Sequence, residues 1–215
     1  MAVSHPDRDT FYQEARDDLT GPLQGVRVLE LTTTIAGPRV GSLLADYGAD
    51  VVRIELAALP DILRLLPPMM PDTDPPEGHL HANVNRNKRS MTLDVRKPEG
   101  REVLMRLLPS FDIFVENFKK GTLAEYGCAY EDCRKVKEDI IYISVTGYGQ
   151  FGPYADRPGY DPAAQAYSGY MYMNTHGEED TPLRSPIYLA DELAGMHGAA
   201  SAMAALIHRG RTGEG

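Results

Sequence analysis

Few residue types able to do chemistry fall at telling places in this chain, and Asp191 is the foremost of them. It stands between an apolar tetrapeptide, Ile187 to Ala190, and a run of mostly small residues from Glu192 to His208. That pattern predicts a short strand feeding a helix, with Asp191 as the helix N-cap. The same place has a chemical consequence. Free N–H groups and the dipole at a helix start favour an ionised carboxylate, and the C-terminal end of a parallel strand faces the crevice where open α/β sheets bind ligands. Capping and nucleophilic attack are compatible roles for Asp191, and the residue pattern by itself leaves both open.

Other candidate motifs fail on spacing. Gly147, Gly149 and Gly152 match the dinucleotide-binding pattern after a predicted strand, but Pro153 and Pro158 follow at once. A helix that would hold pyrophosphate cannot start there, so dinucleotide binding is not expected. Cys128 and Cys133 form neither a Cys-x-x-Cys pair nor a zinc pattern, which predicts free thiols in a reducing, cytoplasmic compartment. His79 and His81 lie in a Pro-rich stretch without a nearby Cys or carboxylate cluster and are read as surface residues, so no metal is expected. Lys119 and Lys120 read as a solvated basic turn.

The elements that must carry Asp191 follow from hydrophobic patterning. Val26 to Leu31 and Val51 to Glu55 read as buried parallel strands, joined by a helix that opens at Gly37-Pro38 and ends at Gly48. The prolines between residues 57 and 82 break any long element and predict a surface excursion. Further strands are predicted at Ser90 to Val95, Asp112 to Glu116, Ile140 to Thr146 and Ile187 to Ala190. Helices are predicted at Pro98 to Leu108, 121–127, 130–138 and Glu192 to His208, with a short one at Ala163 to Ser168. Alternating strands and helices define an α/β fold with a doubly wound, Rossmann-like parallel sheet. Residues 1–20 read as a polar leader and 21–215 as one domain. The net charge of −9 argues against a nucleic-acid partner, and no apolar run approaches membrane-spanning length.

Several segments, in order, resemble family III CoA-transferases, the group that includes formyl-CoA and carnitine-CoA transferases and 2-methylacyl-CoA racemases. They are Gly25 to Leu31 (GVRVLEL), Ala36-Gly37-Pro38, Leu44 to Glu55 (LADYGADVVRIE), Asn85 to Ser90 (NRNKRS) with Leu93-Asp94, and Pro98 to Arg101. Val115 to Phe118 (VENF), Ser144 to Gly149 (SVTGYG), Gly152 to Tyr154, Arg157 to Asp161 (RPGYD), Ala190-Asp191 and Arg211 to Gly215 complete the set. The resemblance covers residues 21–215.

The resemblance implies CoA transfer between an acyl-CoA and a carboxylic acid through an aspartyl anhydride and an aspartyl-CoA thioester. Asp191 matches the nucleophile. Tyr160 and Asp161 match a Tyr followed by an acidic residue in formyl-CoA transferase, whereas the racemases place a His at position 160. A phenol ionises only near pH ~10 and is a poor base at neutrality, so transfer is favoured over the alternative, an acyl-CoA racemase or isomerase. CoA contacts are implied at Thr33, Thr34, Ile35, Leu93, Arg96 and Asn117. Coenzyme A would be substrate and carrier, with no tightly bound cofactor and no metal. Ile35, Leu56 and Glu125 depart from formyl-CoA transferase, which has Gln at the first position and arginines at the other two, so Arg64 or Lys88 would have to help grip the nucleotide. Family members are longer, which implies a truncated chain. A complete protein would form an interlocked homodimer or a heteromer. The chain alone would be inactive, or a CoA-binding subunit, with Met203, Leu206 and Ile207 exposed.

Overall fold

The computed structural model describes residues 20–56, 58–175 and 181–215. The predicted polar leader lies outside the described residues except for Thr20. Five strands form one parallel sheet: β1 (Arg27–Leu31), β2 (Asp50–Glu55), β3 (Arg89–Thr92), β4 (Ile113–Glu116) and β5 (Ile141–Ser144). Their spatial order is β3-β2-β1-β4-β5, with every pairing parallel. The chain winds outward from β1 in one direction, then crosses to β4 and winds in the other. The crevice above β1 and β4 is therefore the topological switch point, where sheets of this kind hold ligands.

Period-two alternation along the central strands feeds two cores. Val28, Val51, Ile113, Val115 and Ile141 pack under helices α1 (Ala36–Asp46) and α8 (Leu189–Thr212). Leu29, Leu31, Val52, Ile54 and Phe114 pack on the other face, under α3 (Pro98–Leu107), α4 (Thr122–Glu125) and α5 (Tyr130–Val136). Covered on both faces, the sheet is doubly wound, as the alternation of elements predicted. Cys128 and Cys133 are free and buried in the second core. Among the described residues no helix is long and apolar enough to cross a membrane.

Three expectations need correction. Ile187 to Ala190 is not a strand: α8 begins at Leu189, with Tyr188 as its N-cap. Leu189 and Ala190 are strong helix formers, and the Glu192 N–H donates to the Tyr188 carbonyl in the first helical turn. The Pro-rich stretch is more than a surface excursion. Asp61 and Leu63 fold back into the interior, and α2 (His79–Val84) follows with His81 buried. Finally, Met203 and Leu206 pack against the first core, and only Ile207 of the three is exposed.

Candidate active site

At the switch point the β1–α1 turn is pinned to the end of β4. The Thr33 N–H donates to Asn117 Oδ1 and Asn117 Nδ2 donates back to the Thr33 carbonyl, each at 2.8 Å. Only glycine fits at position 37, because a Cβ there would lie 2.7 Å from Asn117 Cγ and Thr32 Cγ2. Thr34 has φ of 60°, a left-handed conformation that is strained for a β-branched residue. Its N–H is held by Asp61 Oδ2 at 2.9 Å. Ile35, the N-cap of α1, turns its side chain inward against Leu63 and Val84. The structure therefore gathers Thr33, Thr34, Ile35 and Asn117. It leaves backbone and hydroxyl groups to meet a ligand, since the Asn117 amide is used at both ends.

Leu93 and Arg96 follow the C-terminal end of β3, two strands from β1, and Leu93 packs against the same core as Phe118. The Leu93 N–H pairs with the Glu55 carbonyl, and Arg96 forks onto Asp94 at 2.8 and 2.9 Å.

A buried charge network underlies the turn. Arg53, in the middle of β2 and 2% exposed, sits beside Glu30 in the sheet register and reaches Asp61 at 2.5 Å and Glu55 at 3.3 Å. Its Nη1 donates to His81 Nε2 at 2.9 Å, which leaves the His81 Nδ1–H to donate to Glu77. His81 is thus a buried structural partner and not a surface residue. Lys88 Nζ donates to Glu30, the Pro38 carbonyl and Asn85, and burial pushes it down to about 8 against the pull of Glu30. Arg64 forks onto Glu55 at 3.0 and 2.8 Å. Burial alone would raise Glu55, but hydrogen bonds from Arg64 and the charges of Arg53 and Arg64 hold it well below the ordinary carboxylate range. Lys88 is therefore engaged inside the protein, whereas the Arg64 side chain, paired with Glu55, remains 34% exposed.

Asp191 lies in the first turn of α8, one position past the residue that a neighbouring carboxylate caps. Asp161, the first residue of α6 (Asp161–Tyr167), is buried. Its Oδ1 accepts the Ala190 N–H at 2.7 Å and its Oδ2 accepts Gln165 Nε2 at 2.7 Å. Asp161 is the cap supplied from outside the helix, and Asp191 is not the cap expected of it. Burial, then the Asp161 and Glu192 charges, push Asp191 up to about 6. These outweigh the helix start, so the expected stabilisation of the ionised form is reversed. Tyr160 is 71% exposed at the N-cap of α6.

The direction of α8 sets where Asp191 sits. A Cβ at Gly195, one turn on, would meet Arg39 and the Ala36 carbonyl in the first turn of α1. At the far end, Arg209 pairs with Asp112, just before β4, at 2.6 Å. Helices α1 and α8 therefore run side by side, both starting at the C-terminal edge of the sheet. Asp191 and the strained turn share that edge.

The same edge carries a cavity of about 310 Å³ between β4, β5, α4 and α5, lined by Glu116, Lys119, Lys120, Tyr142, Ser144 and Gln150 among others. Burial pushes Glu116 up, opposed by hydrogen bonds from Ser144 and the Phe118 N–H. Lys120 reaches Asp156 at 3.3 Å. Lys119 and Lys120, read from the sequence as a solvated turn, line this cavity directly after Val115 to Phe118.

A doubly wound sheet with a strained turn at its switch point and a carboxylate beside it defines a ligand-binding α/β domain. The chain belongs to CoA-transferase family III, which it matches over residues 23–215. It is 42% identical to the succinate–glutarate CoA-transferase of Agrobacterium fabrum, over 90% of this chain and 49% of that protein. It is 40% identical to the succinyl-CoA:glutarate CoA-transferase of Mus musculus, over 92% of this chain and 44% of that protein. A crystal structure of a CaiB/BaiF family protein from Brucella suis superposes with a TM-score of 0.87 at 39% identity, covering 92% of this chain and 52% of that one. The chain spans about half the length of these relatives.

Proposed function

We propose that this chain forms the nucleophile-bearing part of a CoA-transferase that exchanges CoA between dicarboxylic acids by way of Asp191. The observation that carries the reading is the setting of Asp191. It lies in the first turn of α8, beside a buried carboxylate that caps that turn at 2.7 Å and next to the switch-point crevice. The dicarboxylate class is taken from relatives named for glutarate, L-malate and mesaconate.

Ionised Asp191 attacks the acyl-CoA carbonyl, and the C–S bond breaks to give a mixed anhydride and CoA thiolate. The thiolate attacks the Asp191 carbonyl, forming aspartyl-CoA and releasing the first acid as its carboxylate. The acceptor carboxylate then attacks aspartyl-CoA, expelling thiolate and forming a second anhydride. Thiolate attack on the acyl carbonyl yields the new acyl-CoA and restores Asp191. Splitting the exchange this way keeps each step between species of similar energy. Asp161 keeps the helix start closed and tunes Asp191 without touching the reacting atoms. Lys119 and Lys120 at the cavity are placed for the anionic nucleotide end of CoA, and Thr33 and Thr34 for the chain between nucleotide and thioester. Water has to be kept from both intermediates, since each would hydrolyse.

The test is transfer by the complete protein that carries this chain, from succinyl-CoA to a panel of dicarboxylates and monocarboxylates. Dicarboxylates are expected to accept CoA, with Asp191→Ala inactive. Deuterium uptake from solvent at C2 of a 2-methylacyl-CoA without any acceptor acid would instead support a racemase.

A further inference from the structure

Arg39 and Glu192 are far apart in sequence and meet beside Asp191. Arg39 Nη2 donates to Glu192 Oε1 at 2.6 Å, and Nε lies 2.6 Å from Glu192 Oε2. The same Nη2 donates to Asn83 Oδ1 at 2.8 Å. The aliphatic stem of Arg39 lies flat on α8, since a Cβ at Gly195 would fall 2.4 Å from its Cγ and 2.5 Å from its Cβ. Asn83 belongs to α2, the helix that also carries His81 into the buried Arg53 network. One side chain of α1 thus grips α8 at Glu192 and at Gly195, on either side of the turn that follows Asp191, and is braced by α2.

We propose that Arg39 is the positioning residue for Asp191: its ion pair with Glu192, backed by Asn83, fixes the first turn of α8 and so aims the Asp191 carboxylate. The inference rests on the reading of Asp191 as nucleophile. A planar guanidinium that donates from Nη2 to both Glu192 and Asn83 gives directional control that a lysine at the same place cannot reproduce. A carboxylate that must attack a carbonyl carbon tolerates little misplacement, and an error of about 1 Å can cost a hundredfold in rate. The pair has an electrostatic role as well. The charged groups that act on Asp191 are Asp161 from α6 and Glu192 on its own helix, and Arg39 from α1 pairs with Glu192. Arg39 offsets the Glu192 charge that would otherwise disfavour ionised Asp191.

Two measurements test this. In the complete protein, Arg39→Lys keeps charge and stem but loses the planar bridge between Glu192 and Asn83. It should lower kcat about tenfold or more with KM changed less than about threefold and the acid limb of the pH profile unmoved. Arg39→Gln should lower kcat similarly and move the acid limb upward. In the 215-residue chain, amide hydrogen exchange at residues 190–194 should speed up at least about tenfold in both variants, with residues 199–206 unchanged. If kcat and the acid limb stay at wild-type values in both variants, even with a lower melting temperature, Arg39 is only a structural contact. Unchanged exchange at 190–194 would equally overturn the proposal. Asp191→Ala serves as the control: if it keeps its turnover, the nucleophile reading fails, while the exchange result still decides whether Arg39 fixes the turn.

Discussion

Asp191 owes its character to its neighbours more than to its own helix. Its proton is held more tightly in the folded chain, at about 6, than in the unfolded chain, where the ordinary value is 3.8. Stability therefore falls as pH rises through that window, and above it the full penalty of an ionised, half-buried carboxylate is present. Asp191→Asn should remove the penalty and, after allowance for solvent screening, stabilise the protein at pH 7 by about 1 kcal/mol. That corresponds to a melting temperature roughly 2–4 °C higher, read by thermal denaturation, while transfer is lost. Turnover should fall as pH drops through about 6, and Asp161→Asn should move that limb downward by removing a like charge. A pH–rate profile for each protein checks both. Asp191 was legible in the sequence because an apolar tetrapeptide and a small-residue run frame it. Its cap was not, since Asp161 is 29 residues from Ala190 in the chain, and neither was the Arg39–Glu192 pair, which spans 153. Nothing local to either residue announces such partners.

At the scale of elements, the β1–α1 turn is the most constrained piece of the fold. Gly37 lets α1 close on Asn117, and Asn117 closes on Thr33. Gly37→Ala should cost about 1–3 kcal/mol through overpacking. It should also weaken CoA binding measured by calorimetry, because the Asn117 bridge must shift. Arg53→Met should be more damaging, about 3–5 kcal/mol by chemical denaturation, since it leaves Glu30, Glu55 and Asp61 buried without their shared cation. The central strands were legible from β-branched runs, and the helix opening at Gly37-Pro38 from its proline. Glu30 and Arg53 were visible inside those runs but carry no local sign of being paired across the sheet. Ile187 to Ala190 was misread because four apolar residues suit a strand or a helix start equally, and tertiary partners decided it.

For the whole molecule, large apolar side chains are exposed on both sides of Asp191 in the chain: Ile187 before it, and Leu193 and Met196 after it on α8. Tyr167 of α6 and Tyr172 and Met173 of α7 (Tyr170–Met173) are exposed as well. Exposed patches of this kind mark interaction surfaces, and the chain spans about half the length of its relatives. The 215-residue chain should therefore self-associate, with its apparent mass by sedimentation rising with concentration. Paired substitutions Leu193→Glu and Met196→Glu should restore a monomer. The family was legible at this scale from collinear motifs, and the parallel sheet from the alternation of strands and helices. The apolar patch was not, because Tyr, Met and Leu in helical segments read equally well as core.

The central claim is that Asp191 carries CoA, and trapping the intermediate tests it most directly. The complete protein is incubated with succinyl-CoA without an acceptor acid, quenched in acid and digested with trypsin. The peptide from Ser185 to Arg209 is then read by mass spectrometry, with and without hydroxylamine. The account predicts a CoA thioester on Asp191, converted by hydroxylamine to the hydroxamate and absent from Asp191→Asn. A thioester on Glu192 or on any other carboxylate, or full transfer activity in Asp191→Asn, would contradict it.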